Sequence, residues 1–281
     1  GVDYAARRIL RLAIVLYGFR LTFQDIGAIG LSGVVISALM VALTFLIGYI
    51  VGVKVLKLDK EISILCSAGA AICGAAAVLA TEAVIKAKPY KSMVAVGTVV
   101  IFGTLAMFLY PAAYRAGLVP MSLDEMGVYI GASVHEVAHV VAASAAVDPA
   151  TSDAAVIVKM VRVMMLAPFL IVLGLWFWRG AENIAQKEEE GRKPALIPWF
   201  AVYFIGVAGF NSLNLLPASV VGSLISFDTF LLTMAMGALG METTIDKFKG
   251  VGLKPIYLSL ILFIWLIFGG FFITKGVMSV F

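Results

Sequence analysis

The chain has 281 residues, of which 62% are hydrophobic and only 14% charged, and its mean hydropathy is +1.04. Soluble domains are about half apolar and about a quarter charged, so this composition excludes an ordinary soluble domain. The long uncharged runs exclude a transmembrane β-barrel, whose strands alternate apolar and polar residues. The net charge of +4 gathers at segment ends, where it reports topology and not nucleic-acid binding.

Nine hydrophobic segments follow in chain order: 5–24, 28–53, 61–87, 92–114, 124–147, 153–179, 196–216, 227–247 and 255–278. Four uncharged runs, Ile26 to Val53, Ser92 to Tyr114, Leu196 to Phe227 and Pro255 to Thr274, are near or above the roughly 20 residues a spanning helix needs. The expected fold is an all-α polytopic membrane protein forming one transmembrane domain over 1–281. A polar loop at 180–195, rich in Lys and Glu, divides it.

Lys and Arg bias sets the orientation. Arg7, Arg8 and Arg11 put the start of the first segment inside, and Lys54, Lys57 and Lys60 return the chain there. Lys86, Lys88 and Lys91, the loop 179–193, and Lys247, Lys249 and Lys254 also read as internal. The loop 217–228 has neither Lys nor Arg and reads as external. Keeping every assignment requires 61–87 to be a re-entrant hairpin entered from inside and 124–147 one entered from outside. A simple crossing with one loop that breaks the charge rule is the alternative. Re-entrant backbone is tolerated at membrane depth where protein buries it or a wet cavity borders it.

Internal similarity favours the hairpins. Gly69-Ala70-Ala71-Ile72-Cys73-Gly74-Ala75-Ala76 lines up with Gly131-Ala132-Ser133-Val134-His135-Glu136-Val137-Ala138. Leu16 to Thr22 lines up with Ala238 to Thr244, which pairs Arg20 with Glu242. Each matched pair has opposite orientation in this topology. Inverted repeats with interrupted segments meeting near the midplane are a transporter signature.

The only two histidines, His135 and His139, flank Glu136 in an apolar segment. Ionisable groups inside a membrane segment mark a functional site by default. As a metal motif, His135-Glu136-Val137-Ala138-His139 matches H-E-x-x-H, with two histidines on one helix face and a glutamate base. A third ligand is missing from the pattern. Asp148, Asp153, Asp228, Glu82 and Glu242 are the carboxylates available to supply one. As a transport site, His135 donates to an anion or titrates near neutral pH, and Glu136 carries a proton or binds a cation. The plain structural alternative is a buried polar pair that pins helices.

Cys66 and Cys73 share a helix face and read as packing residues, not as a disulfide or metal pair. Gly74 is the natural break in its small-residue run, where helix-start amides face an anion. Arg20 and Arg162 are the candidate anion-attracting cations, and Asn211 is either helix glue or a ligand contact. Snorkelling to the interface is the plain reading of Arg162.

The runs Leu16 to Thr22, Ile72 to Ala75, Gly131 to Ala138 and Ala238 to Thr243 resemble the YeiH-like family of bacterial inner-membrane proteins, described as sulfate exporters. The resemblance covers essentially the whole chain. It implies a bacterial inner-membrane location and transport, with further hydrophobic segments ahead of the arginine-rich start. It also implies that glutamine commonly replaces His139, so that His135 and Glu136 are the part carried over.

The expectation is a secondary transporter of a small anion, sulfate or a related oxyanion or organic acid. Arg20, Cys73, Gly74, Ser133, His135, Arg162 and Asn211 are its substrate contacts. His135, Glu136 and Glu242 couple transport to protons or a cation. No cofactor is called for, the bilayer is the surrounding partner, and a homodimer is compatible with the sequence. The alternative is an intramembrane zinc metalloprotease using His135, Glu136 and His139.

Overall fold

The computed structural model describes residues 8–20, 22–182, 199–241 and 252–280. Glu242, the end of the repeat run that contains it and most of the polar loop 180–195 lie outside these residues.

The described residues are all-α. They form α1 (Leu10–Leu16), a 3-10 turn (Tyr17–Arg20), α2 (Phe23–Ile50), α3 (Lys60–Ala71), α4 (Ala75–Ile85), α5 (Pro89–Arg115) and α6 (Leu123–Ser133). After these come α7 (Val137–Val147), α8 (Pro149–Met164), α9 (Leu166–Glu182), α10 (Trp199–Ser212), α11 (Ala218–Met241) and α12 (Lys254–Met278). Four stretches are long and apolar enough to cross a membrane: Gly30–Val55, Pro89–Arg115, Pro149–Phe177 and Lys254–Met278. They coincide with the segments expected at 28–53, 92–114, 153–179 and 255–278. The fold is therefore that of an all-α polytopic membrane protein.

The segments 61–87 and 124–147 are each broken in two, and both fold back. Asp59 caps α3 by accepting from the Glu61 and Ile62 amides. Lys91, near the start of α5, reaches Asp59 at 2.8 Å and Glu61 at 2.9 Å. The two ends of α3–α4 therefore lie together, and Val78 packs beside Gly69 across the bend. At the other end of α5, Arg115 hydrogen-bonds the Ala146 carbonyl near the end of α7. A short connection leads from Arg115 to Ser122, which caps α6 in a capping box with Glu125. Both ends of α6–α7 thus lie at the far end of α5. The two hairpins enter from opposite ends of one spanning helix, which settles the choice between hairpin and simple crossing.

Small residues let the supports come close. Gly127 and Gly131 of α6 lie against Thr151, Ala155 and Val158 of α8, where a Cβ at Gly131 would overlap the Ala155 carbonyl. On the opposite side α12 packs against α2, α3, α5 and α6. The Tyr129 hydroxyl donates to the Ile267 carbonyl at 2.8 Å, and Trp265 donates to Thr44 at 3.0 Å. One expectation is corrected: 217–228 is not a loop. Pro217 precedes the helix and its carbonyl accepts from the Val220 and Val221 amides, so α11 begins at Ala218. An apolar run without Lys or Arg fits the first turns of a helix as well as it fits an external loop.

Candidate functional site

The site is the place where the two hairpin tips meet. In the first, α3 ends at Ala71, and Ile72 leaves helical geometry at φ −112°, ψ −88°. Gly74 then takes φ 80°, ψ −132°, a region essentially restricted to glycine, and α4 restarts in a new direction. In the second, α6 ends at Ser133, and Val134 (φ −74°, ψ 145°) and Glu136 (φ −115°, ψ 152°) are extended. That bend requires no glycine.

The tips touch through Glu136. Its Oε1 accepts the Ala75 N–H at 3.1 Å, one of the amides that a helix start leaves without an intrahelical partner. Its Cγ fills the space where a Cβ on Gly74 would stand. A carboxylate at a helix N-terminus is favoured by the macrodipole. One hairpin thus caps the other.

Behind the tips stand two fully buried cations from α8, Lys159 and Arg162. The Lys159 Nζ donates at 2.8 Å to the Ile72 carbonyl in the first bend and at 2.8 Å to the Val134 carbonyl in the second. Arg162 Nη2 donates to the Ala70 and Ala71 carbonyls, and Nη1 lies 3.4 Å from the Gly131 and Val134 carbonyls. The carbonyls freed at the C-terminal ends of α3 and α6 are therefore held by these two side chains. This answers a cost that would otherwise be severe, since each unsatisfied buried polar group costs about 1–3 kcal/mol.

His135 is buried, with its ring 6.4 Å from that of Phe263. The Nδ1 atoms of His135 and His139 have no hydrogen-bond partner among the described residues. His139 Nδ1 lies 3.7 Å from Glu136 Oε2, on the side of Gly103. The expected metal geometry is corrected here. The helix stops at Ser133 and restarts at Val137, so His135 and His139 do not share a helix face. Among the described residues no group of three or more His, Cys, Asp or Glu side chains is arranged to hold a metal ion.

The 3-10 turn after α1 forms the next wall. Its Gly18 sits against the backbone of Phe204 and Ala208 in α10. Arg20 Nε donates to Asp228 Oδ2 of α11 at 3.0 Å, and Nη2 donates to Thr229 Oγ1 at 2.6 Å. Asp228 is fully buried, and its Oδ1 has no partner among the described residues. The Arg20 guanidinium also stacks 4.8 Å over the Tyr17 ring. The helix α1 that leads into this turn packs against α4, which ties this wall to the first hairpin.

The structure thus gathers Cys73, Gly74, Ser133, His135, Glu136 and Arg162 at one place, with Arg20 on the adjoining wall. Asn211 instead donates to the Phe19 carbonyl at 3.0 Å and braces the 3-10 turn. The Ser133 hydroxyl donates to the Tyr129 carbonyl in its own helix. Cys73 is buried and free. Sequence reading missed Lys159 and Asp228 as site residues. Lys159, one turn before Arg162, was the available signal for the first, and a charge inside the uncharged surroundings of Phe227 was the signal for the second.

Spanning helices around two opposed re-entrant hairpins, with ionisable side chains at their meeting point, define a polytopic membrane protein with interrupted helices. The chain belongs to the YeiH-like family of bacterial inner-membrane proteins. The family model described as conserved hypothetical protein 698 matches residues 1–259. The UPF0324 inner membrane protein YeiH of Escherichia coli K12 is 52% identical over 280 residues, covering 100% of this chain and 79% of that protein. A UPF0324 membrane protein of Bacteroides thetaiotaomicron is 52% identical over 275 residues, with 98% and 81% covered. One from Bordetella bronchiseptica is 48% identical, with 98% and 85% covered. No solved structure matches the chain.

Proposed function

We propose that this chain is a secondary transporter of a small anion, with sulfate or a related oxyanion or organic acid as its substrate class. The observation that carries the reading is the pair of hairpin tips meeting among the buried Lys159 and Arg162 and the partly buried Glu136. Interrupted helices that meet in inverted orientation are where such carriers bind their cargo.

The charge count favours an anion. Lys159 and Arg162 contribute two positive charges and Glu136 one negative. The C-terminal ends of α3 and α6 and the N-terminal ends of α4 and α7 each contribute about half a charge of opposite sign and offset one another. The remainder is about one positive charge in a low-dielectric setting, where it attracts an anion strongly. Arg20, half-buried on the adjoining wall, adds a planar donor suited to an oxyanion or carboxylate. Its present partner is Asp228, which an incoming anion would have to replace or join. A proton taken up by Glu136 raises the site charge by one, so proton and anion favour each other's binding.

Flux of a labelled anion into proteoliposomes tests the reading, with sulfate as the first probe. Glu136→Gln keeps an oxygen for the Ala75 N–H and removes the titratable charge. The expected result is uptake by the wild type that responds to an imposed pH gradient, and uptake by Glu136→Gln that does not. Wild-type vesicles no more permeable than empty ones across sulfate, related oxyanions and organic acids would refute transport of this class.

A further inference from the structure

At both hairpin bends, carbonyls of the kind that would coordinate an alkali cation in a carrier of this architecture are already held by buried side chains. In interrupted-helix carriers, the unwound carbonyls and the C-terminal ends of half-helices bind the coupling sodium ion. Here the corresponding oxygens are those of Ala70, Ala71 and Ile72 at the end of α3, and of Gly131 and Val134 at the end of α6. Lys159 Nζ lies between the two bends at 2.8 Å from both the Ile72 and Val134 oxygens. It thereby contacts one oxygen from each half-helix, as a bridging ion would. The Arg162 guanidinium occupies the neighbouring carbonyls. Neither side chain is exposed, and both arise from the one continuous helix α8, which packs against α6 and α7.

We propose that Lys159 is a tethered replacement for a coupling metal ion, so that this site is complete without sodium or potassium. This rests on the transporter reading and narrows it: of the coupling ions left open above, the alkali cations are removed and the proton remains. The chemical basis is direct. A lysine ammonium is a compact point charge with three donors, and two carbonyls from opposite half-helices accept from it at 2.8 Å. The negative ends of both half-helices, about half a charge each, are offset permanently, whatever the ionic composition on either side. A further consequence is that removing the ammonium leaves a ready-made cage of backbone oxygens beside the Glu136 carboxylate, suited to a hard monovalent cation. The wild type has no such vacancy.

The test reads binding and not flux. Purified protein in detergent is unfolded thermally in sodium chloride, potassium chloride or choline chloride at equal concentration. The wild type and Lys159→Arg, which both keep a tethered cation, are expected to have the same midpoint in all three salts. Lys159→Ala and Lys159→Gln are expected to unfold earlier in choline and to recover by about 3 °C or more in sodium or potassium. A wild-type midpoint that rises in sodium relative to choline by that amount overturns the proposal. Folded Lys159→Ala and Lys159→Gln proteins indifferent to the cation overturn it as well. If neither variant folds, the salt response of the wild type and of Lys159→Arg decides: insensitivity of both supports the proposal, and sodium dependence of either defeats it. These midpoints do not depend on whether any anion is carried, so this proposal and the transporter reading can fail separately.

Discussion

The two hairpins derive from matching runs of sequence but bend by different means. The first turns at Gly74, whose positive φ and missing Cβ let the chain reverse in the space that the Glu136 side chain fills. The second turns through Val134, His135 and Glu136, of which Val134 and Glu136 are extended and none has a positive φ. One repeat contributes backbone and the other contributes side chains. A site at a pseudo-symmetric contact needs both, because two glycine bends would bring no ionisable group and two side-chain bends would not fit.

Three changes probe that difference, beginning with the largest effect. Gly74→Ala adds both backbone strain and an overlap with Glu136, each costing about 1–3 kcal/mol. It should lower thermal stability by about 3 kcal/mol and abolish flux. By contrast, Glu136→Gln should cost only about 1 kcal/mol, because the hydrogen bond to Ala75 survives without its charge. Equal losses from the two would mean that the halves bend for the same reason. Next comes Arg162→Met, which leaves the carbonyls at Ala70 and Ala71 without their donor and should cost about 2–3 kcal/mol. Because the same guanidinium serves both half-helices, increased hydrogen exchange is expected in both hairpins. A response confined to α3 and α4 would show that Arg162 supports one half only.

The smallest effect lies at the base of the first hairpin. Burial pushes the Asp59 carboxyl up, but hydrogen bonds from Lys91 and the Ile62 and Glu61 amides outweigh it and hold the group below its ordinary value. A carboxyl depressed in the folded state stabilises above its unfolded value, about 3.9, and loses that contribution as pH falls through the folded one. The Asp59 side chain is 46% exposed, so solvent screening limits the effect to under about 1 kcal/mol. The stability gap between wild type and Asp59→Asn should therefore close below about pH 4. A gap that widened there would put the Lys91 contact outside the folding equilibrium.

Much of this was legible in the sequence. Three of the four uncharged runs became spanning helices, while the fourth, Leu196 to Phe227, is divided between α10 and α11; lysine bias together with the aligned small-residue runs pointed to both hairpins. Two kinds of information were not. Lys159 is held by the carbonyls of Ile72 and Val134, and a backbone acceptor leaves no mark in the residue types that surround it. The H-E-x-x-H spacing suggested a single helix face because periodicity assumes continuity, and the break after Ser133 contains no glycine or proline to announce itself. In the sequence Asp228 is only one of five carboxylates that could supply a third metal ligand, since its partner Arg20 is remote in sequence and aligns instead with Glu242.

Cys73 sits in the first bend, and the only other cysteine, Cys66, is buried two turns back in α3. The natural chain therefore carries its own optical and chemical reporter at the point where any passage must open. A thiol reagent confined to one side of a vesicle would label Cys73 only while that side has access. Access that alternates between sides is the behaviour of a carrier, and access from both at once is that of a pore. With Cys66→Ala as background, a single native thiol distinguishes the two.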